Sequence, residues 1–158
     1  MNYKLLADNE ERTFALILDS GEECIKGITR FAKEHNLGAS RLNAVGALSE
    51  VTLGYYDWER RAYRDIPMPQ QVEVMALNGD ITLDRGEPVV HAHIVVGDAE
   101  GRAWGGHLMR GVVRPTLEII LTESPRHLVR KFNPELGLPL IDTSVSDASS
   151  LREPRPHQ

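Results

Sequence analysis

From Ser40 to Glu123 the chain consists of extended segments separated by turn residues, and this pattern constrains the fold most. The segment 72–77 has the alternation of a strand with two different faces. Val72, Val74 and Ala76 are predicted to lie on one face, and Glu73, Met75 and Leu77 on the other. The tripeptide NGD at 78–80 is a strong hairpin signal, so the next segment is expected to pair back. A long strand is predicted over 111–123, where Pro115 requires an edge or a bulge. Successive strands joined by short turns predict a largely antiparallel sheet.

One stretch ahead of these strands has helical spacing. Residues 22–35 repeat apolar side chains on one face, and Asp19 or Ser20 is expected to cap the helix. Asn36 is expected to stop it. A buried strand is predicted over 13–19. The expected fold class is therefore α+β, a largely antiparallel β-sheet with one main α-helix.

Chain length and composition favour a single domain. The 158 residues predict one domain over 1–140, followed by a polar, proline-containing tail over 141–158 that is expected to be disordered. Within the domain, a break is expected near Ser49 between two strands. A short turn of helix is expected in the proline-containing stretch after Glu123.

Several partner classes are excluded or disfavoured. No apolar run approaches the roughly 20 residues of a membrane span, and the acidic N-terminal segment is unlike a signal peptide. The single cysteine, Cys24, fits a reducing compartment, so the expected location is the cytoplasm. The net charge of −5 argues against DNA binding without a local basic patch, for which residues 58–64 and 125–131 are candidates.

Three of the six histidines lie close together in one predicted hairpin, at His91, His93 and His107. Alternate residues of a strand share a face, so His91 and His93 point the same way, about 6–7 Å apart. An odd loop of three or five residues brings His107 opposite one of them. A two-residue turn at Ala99-Glu100 would instead place it opposite Ala92, on the other face.

Three imidazoles with one open position are typical of catalytic zinc sites, so zinc is the expected cofactor. Gly105 and Gly106 indicate a close approach, which a metal and its water could make. Glu118 could supply a fourth ligand or orient one of the three. The alternative is that these are half-buried sheet histidines bonded to backbone or water. Spacing alone leaves both readings open.

The sequence resembles the plants-and-prokaryotes-conserved (PPC) domain family over about residues 14–136. The blocks that carry the resemblance are NAVGALSEVTLGYYD, VEVMALNGDITL, PVVHAHIVVGDAEGRAWGGHL and GVVRPTLEIILTE, and a matching helix precedes them. The H-x-H followed by G-G-H-L is the most specific element. The resemblance implies an antiparallel sheet, a homotrimer and a fold related to acetolactate decarboxylase. It also implies that the metal ligands are His91, His93 and His107.

Plant members of the family join this domain to Arg-Gly-Arg-Pro segments that enter the minor groove of DNA. This chain has none, and its C-terminal REPRPHQ offers only Pro-Arg-Pro. The first functional hypothesis is a homotrimeric regulatory or DNA-associated module with a zinc site. The alternative is a zinc-dependent lyase acting on a small keto acid, whose carboxylate Arg114 or Arg110 would hold. A small-molecule sensor that uses the same pocket is a third hypothesis.

Overall fold

A computed structural model describes residues 1–8 and 11–144 and contains one helix and nine strands in that part of the chain. In chain order the elements are β1 (Asn2–Asp8), β2 (Arg12–Asp19), α1 (Cys24–Glu34), β3 (Ala39–Asp57), β4 (Ala62–Met68), β5 (Val72–Asp84), β6 (Glu87–Gly97), β7 (Ala103–Glu123), β8 (Val129–Asn133) and β9 (Leu138–Asp142). Within the same residues no helix has the length and apolar character that crossing a membrane takes.

All nine strands belong to one sheet, in the order β1-β2-β7-β3-β5-β8-β9, with β4 beside β3. The strand β6 pairs with both β5 and β7, each of which also pairs with β3, so these four strands form a closed ring. In the whole sheet, every strand pairing is antiparallel except the single residue pair that joins β5 to β8. The predicted α+β class, mainly an antiparallel sheet with one helix, is confirmed.

The helix begins later than predicted. Its cap is Glu23, whose carboxylate accepts hydrogen bonds from the backbone N–H groups of Ile25 (3.1 Å) and Lys26 (2.9 Å). Those two donors would otherwise lack partners, so the helix starts at Cys24, and neither Asp19 nor Ser20 caps it. It ends as expected, because Asn36 adopts a left-handed backbone with φ 54°.

The helix covers one face of the sheet. Its buried side chains, which include Ile28 and Phe31, pack with Leu16 and Leu18 of β2 in one apolar cluster. Each fully buried side chain of this size contributes roughly 1.5–3 kcal/mol, before the cost in conformational entropy. The opposite face of the sheet is more exposed and includes Val45 at 54% exposure.

The predicted hairpin at 78–80 is wrong. Strand β5 continues through these residues, and the chain turns at Arg85 and Gly86, which have φ values of 51° and 82°. A positive φ at both central positions is what a type I′ turn, a common connection in two-residue hairpins, needs. Gly79 is a glycine for another reason: a Cβ there would stand 2.5 Å from the carbonyl oxygen of His91.

The predicted break near Ser49 is a bulge rather than an end. Strand β3 runs through Ser49, and its register with β7 shifts between Leu48 and Glu50, the two residues that flank it. Pro115 also lies at a bulge, as predicted, because Leu48 pairs with Val113 while Gly46 pairs with Leu117.

The segment after Glu123 forms a β-hairpin, β8–β9, where a short helix was expected. Strand β9 continues through Asp142, so the predicted tail over 141–158 begins inside a strand. The rest of the predicted disordered tail, residues 145–158, lies outside the described residues.

Candidate metal centre

Strand alternation places two histidines on the exposed side of β6. Ala92 and Ile94 are buried in the core, while His91 and His93 lie on the other face. This arrangement follows from the two-residue period of a strand. The H-x-H spacing therefore presents two imidazoles away from the helix-covered core.

The third histidine reaches the same face through the β6–β7 register. His93 lies directly opposite His107, and Gly97 opposite Ala103, so the loop is Asp98–Arg102. The carboxylate of Asp98 accepts hydrogen bonds from the backbone N–H of Arg102 (2.9 Å) and from Nε1 of Trp104 (3.1 Å). Burial acts to raise the pKa of Asp98, but these hydrogen bonds prevail and lower it to about 2. A charged carboxylate thus fixes the loop and, with it, the register.

The three imidazoles converge. One ring nitrogen from each of His91, His93 and His107 lies within 4.8 Å of the other two. The ring centroids are 5.2–5.4 Å apart. Atoms so spaced lie at most about 2.8 Å from a common centre, so small side-chain rotations give the roughly 2.0–2.1 Å of a Zn–N bond. The donor set and its spacing therefore fit a zinc ion.

The electrostatics of the cluster favour neutral imidazoles. Burial, followed by the charges of His91 and His93, lowers the pKa of His107 from 6.5 to about 4. Burial and the charge of His91 also lower the pKa of His93. Nδ1 of His107 is buried without a hydrogen-bond partner among the described residues. Neutral imidazoles offer the lone pairs that a metal ion needs.

Two residues missed by the sequence analysis stand behind His91. Asp80 lies opposite it on β5, with Oδ2 3.4 Å from His91 Nδ1. Arg130 of β8 places Nη2 2.6 Å from Asp80 Oδ1 and 3.3 Å from the same Nδ1. Burial acts to raise the pKa of Asp80, but hydrogen bonds from His91 and Arg130 lower it. A carboxylate behind a ligating imidazole is a common feature of zinc sites.

Tyr63 of β4 is a third neighbour that the sequence analysis missed. Its ring lies 4.7 Å from the ring of His107, at an interplanar angle of 33°. Tyr56 of β3 packs edge-on against Tyr63 and donates a hydrogen bond of 2.6 Å to the carbonyl oxygen of Leu136. Burial, followed by the charge of Tyr56, raises the pKa of Tyr63. A protonated phenol therefore lies beside the cluster.

The two predicted glycines have different environments. A Cβ at Gly106 would stand 2.9 Å from the carbonyl oxygen of Gly54, so strand packing rather than a metal explains this glycine. A Cβ at Gly105 would make only ordinary contacts of 3.4 Å. Both glycines line an open groove of about 390 Å³ beside His93 and Asn78. The missing side chains leave this groove accessible.

The other candidates have surroundings of their own. Glu118 is exposed near the far end of β7, where it pairs with Ile17 and Val45. Arg114 donates to Gln71 at 3.2 Å, and Arg110 forms an ion pair with Glu50. Within the described part of the chain, none of these three side chains hydrogen-bonds to a cluster histidine.

The fold and the site define an α+β protein with a cluster of three imidazoles on the exposed side of its sheet. The sequence profile of the Plants and Prokaryotes Conserved domain (PCC, also written PPC) matches residues 6–125. The chain belongs to this family.

Solved structures support the same family. A PPC protein from Pyrococcus horikoshii is 32% identical, with a TM-score of 0.78 over 89% of this chain and 94% of that one. A candidate DNA-binding protein from Bacteroides thetaiotaomicron is 26% identical, with a TM-score of 0.82 over 90% and 98%. A metal-containing protein from Archaeoglobus fulgidus is 27% identical, with a TM-score of 0.77 over 89% and 98%.

Curated relatives are much longer. The bifunctional protein GlmU of Synechococcus sp. (strain JA-3-3Ab) is 31% identical over 149 residues, which is 93% of this chain and 22% of that protein. The chain thus spans about a fifth of the length of the curated relatives that it matches.

Proposed function

We propose that this PPC-domain protein is a homotrimeric, DNA-associated regulatory module that holds a zinc ion on His91, His93 and His107. The observation that carries the metal part is the convergence of three imidazole nitrogens within 4.8 Å. The lowered pKa values of His93 and His107 support it, because protons compete little with a metal near neutral pH. The similar protein from Archaeoglobus fulgidus, which contains metal, gives further support.

Metal content and affinity test the proposal. The purified protein should contain close to one zinc per chain by elemental analysis, and His107→Ala should lose it. His127→Ala is the matched control, because His127 also has a buried Nδ1 with no hydrogen-bond partner in the described part of the chain but is not in the cluster. A wild-type chain that binds neither zinc nor another divalent transition metal would contradict the metal centre.

DNA association is supported by the similar Bacteroides thetaiotaomicron protein, a candidate DNA-binding protein. The net charge of −5 means that binding has to use a local basic surface. Arg60, Arg61 and Arg64 are exposed on and around the β3–β4 hairpin, beside exposed Tyr55. Fluorescence anisotropy with duplex DNA should show binding at low salt that weakens as salt increases. No binding at low salt would overturn this part.

The homotrimer is supported by apolar residues on the sheet face that the helix leaves uncovered. Val45 is 54% exposed, and Ile120 on the neighbouring strand β7 is 44% exposed. Apolar side chains exposed on adjacent strands are typical of a surface that another chain covers. Sedimentation equilibrium should give three times the chain mass, and Val45→Glu should lower the measured mass.

The single buried cysteine, Cys24, supports the cytoplasm as the location.

A zinc-dependent lyase resembling acetolactate decarboxylase is the second candidate. Zinc on three imidazoles supplies a Lewis acid that polarises a carbonyl group. Exposed His93 beside the open groove leaves room for a small keto acid, and Tyr63 offers a proton next to His107. Metal-dependent turnover of small 2-keto or 2-hydroxy-3-keto acids would establish this function. Zinc binding without turnover would favour the binding module.

A further inference from the structure

Arg130 is a buried guanidinium at the edge of the cluster. Its side chain is 7% exposed. An arginine is rarely buried so deeply unless its guanidinium is paired. Nε donates to Thr82 Oγ1 at 2.7 Å, and Nη1 donates to the carbonyl oxygen of Pro139 at 3.0 Å. Nη2 donates to Asp80 Oδ1 at 2.6 Å. These bonds hold the guanidinium in one orientation between the β8–β9 hairpin and β5.

The ring nitrogen Nδ1 of His91 has two neighbours with opposite requirements. Asp80 Oδ2 at 3.4 Å only accepts hydrogen bonds, whereas Arg130 Nη2 at 3.3 Å only donates them. Nδ1 can satisfy Asp80 only when it carries the proton, and Arg130 only when it carries the lone pair. Nη2 donates to Oδ1 of Asp80, so the N–H on Nδ1 of His91 serves as the donor to Oδ2, whereas an unprotonated Nδ1 would place its lone pair against this charged oxygen.

The choice of tautomer decides which nitrogen of His91 can bind a metal. When Nδ1 carries the proton and faces Asp80, the lone pair of the neutral ring is on Nε2. With the opposite tautomer, Nε2 carries the proton and the lone pair is on Nδ1, which faces Asp80 and Arg130. The orientation of the Asp80 carboxylate therefore controls one of the three proposed ligands.

We propose that Arg130 is a positioning residue of the metal centre: it orients Asp80 as the acceptor for Nδ1–H of His91, which leaves Nε2 free for the ion. The inference rests on the proposed zinc function for its consequence, but its effect on the tautomer does not need a metal. It also makes the β8–β9 hairpin part of the centre. The backbone pairing of β8 with β5 is short, a single pair of Leu83 with Val129, so the side chain of Arg130 is an important link between the hairpin and the centre.

The first test is the tautomer of His91 in the metal-free protein, measured by ¹⁵N NMR of the imidazoles at about pH 8, where an ordinary imidazole is neutral. Wild type should show Nδ1–H. Asp80→Asn should invert the tautomer, because Arg130 retains the amide oxygen and the amide NH₂ then donates to Nδ1. Arg130→Met should give a mixture, and Arg130→Lys should partly restore the wild-type state. Lys131→Met, at the exposed neighbour on β8, is the matched control and should not change the spectrum.

The second test is zinc affinity, measured by competition with a chromogenic chelator. Asp80→Asn and Arg130→Met should each weaken binding by about tenfold to a hundredfold, the usual effect of losing a residue that orients a ligand. The double variant should lose little more than either single variant, because both changes act through the same Nδ1. Lys131→Met should bind as wild type does.

The outcomes separate the two proposals. Absence of zinc binding by the wild-type chain contradicts the proposed function. An unchanged His91 tautomer in Asp80→Asn and Arg130→Met overturns the role of Arg130, whether or not zinc binds. If Arg130→Met does not fold, as judged by circular dichroism, Arg130→Lys takes its place because it keeps the positive charge at this buried position. Asp80→Asn then tests the acceptor itself, because Asp80 is 29% exposed and tolerates the change better than buried Arg130.

Discussion

Gly106 on β7 lies so close to Gly54 on β3 that a Cβ at position 106 would stand 2.9 Å from the Gly54 carbonyl oxygen. Gly106→Ala is therefore expected to lower the free energy of unfolding by about 1–3 kcal/mol, the usual cost of overpacking. Urea denaturation measures this. Gly105→Ala is the matched control: its Cβ would make contacts of 3.4 Å, so it should be neutral or slightly stabilising. Equal effects of the two substitutions would contradict this explanation of the glycine pair.

The metal-free protein should lose stability in acid through His107. The pKa of His107 is lowered to about 4 by burial and by its neighbours, whereas the unfolded chain titrates near 6.5. Between these pH values the unfolded state binds more protons. The contribution of His107 to the free energy of unfolding is therefore fully present above about pH 6.5 and is lost as the pH falls towards 4.

The measurement is the free energy of unfolding as a function of pH, for wild type and for His107→Gln. The variant lacks this titration, so its stability should fall less between pH 6.5 and 4. Parallel pH profiles would show that His107 is not the source. Zinc should stabilise wild type at pH 7 and have little effect near pH 4, because protons compete for the imidazoles.

Glu123 is a buried carboxylate, 3% exposed, that anchors the start of β3. It accepts hydrogen bonds from the backbone N–H groups of Gly38 (2.8 Å) and Ala39 (3.2 Å) and from the hydroxyl of Ser40. Glu123→Gln replaces one acceptor oxygen with a donor and should cost about 1.5–3 kcal/mol in unfolding free energy. Glu118→Gln, at an exposed position on the same strand, should change it by less than about 0.5 kcal/mol.

The thiol of Cys24 should be unreactive in the folded protein. Burial, followed by the charge of Glu23, raises the pKa of Cys24 to about 12, so little thiolate exists near pH 8. A chromogenic disulfide reagent should react with the chain only after denaturation. Fast reaction of the native protein would mean that the first turn of α1 opens readily.

Elementary strand geometry predicted the cluster. A period of two places His91 and His93 on one face, and an odd loop then brings His107 to that face. The first inference needs only local spacing, whereas the second depends on the loop length, which the spacing left open. In the structure the loop is odd and the three imidazoles come together. Zinc itself stays a prediction, as do the roles of Glu118 and Arg114.

The support behind the cluster could not be predicted from local spacing. Arg130 reaches His91 from a hairpin that comes later in the chain, and no periodicity relates the two positions. Asp80 was assigned to a turn because NGD favours hairpins, yet Gly79 serves close strand packing there. The helix boundary was wrong for a similar reason, because the carboxylate of Glu23 reaches two backbone N–H groups that Ser20 and Asp19 do not satisfy.

The closed ring of β3, β5, β6 and β7 has a consequence for the effect that binding an ion would have on the fold. Strand β6 is hydrogen-bonded along both of its sides near His93, so the imidazoles are mounted on backbone that is already fixed. Classical zinc fingers, by contrast, fold only when the ion is present. Here the free energy of binding goes into affinity rather than into ordering the chain, so removing the ion with a chelator should leave the β-sheet intact.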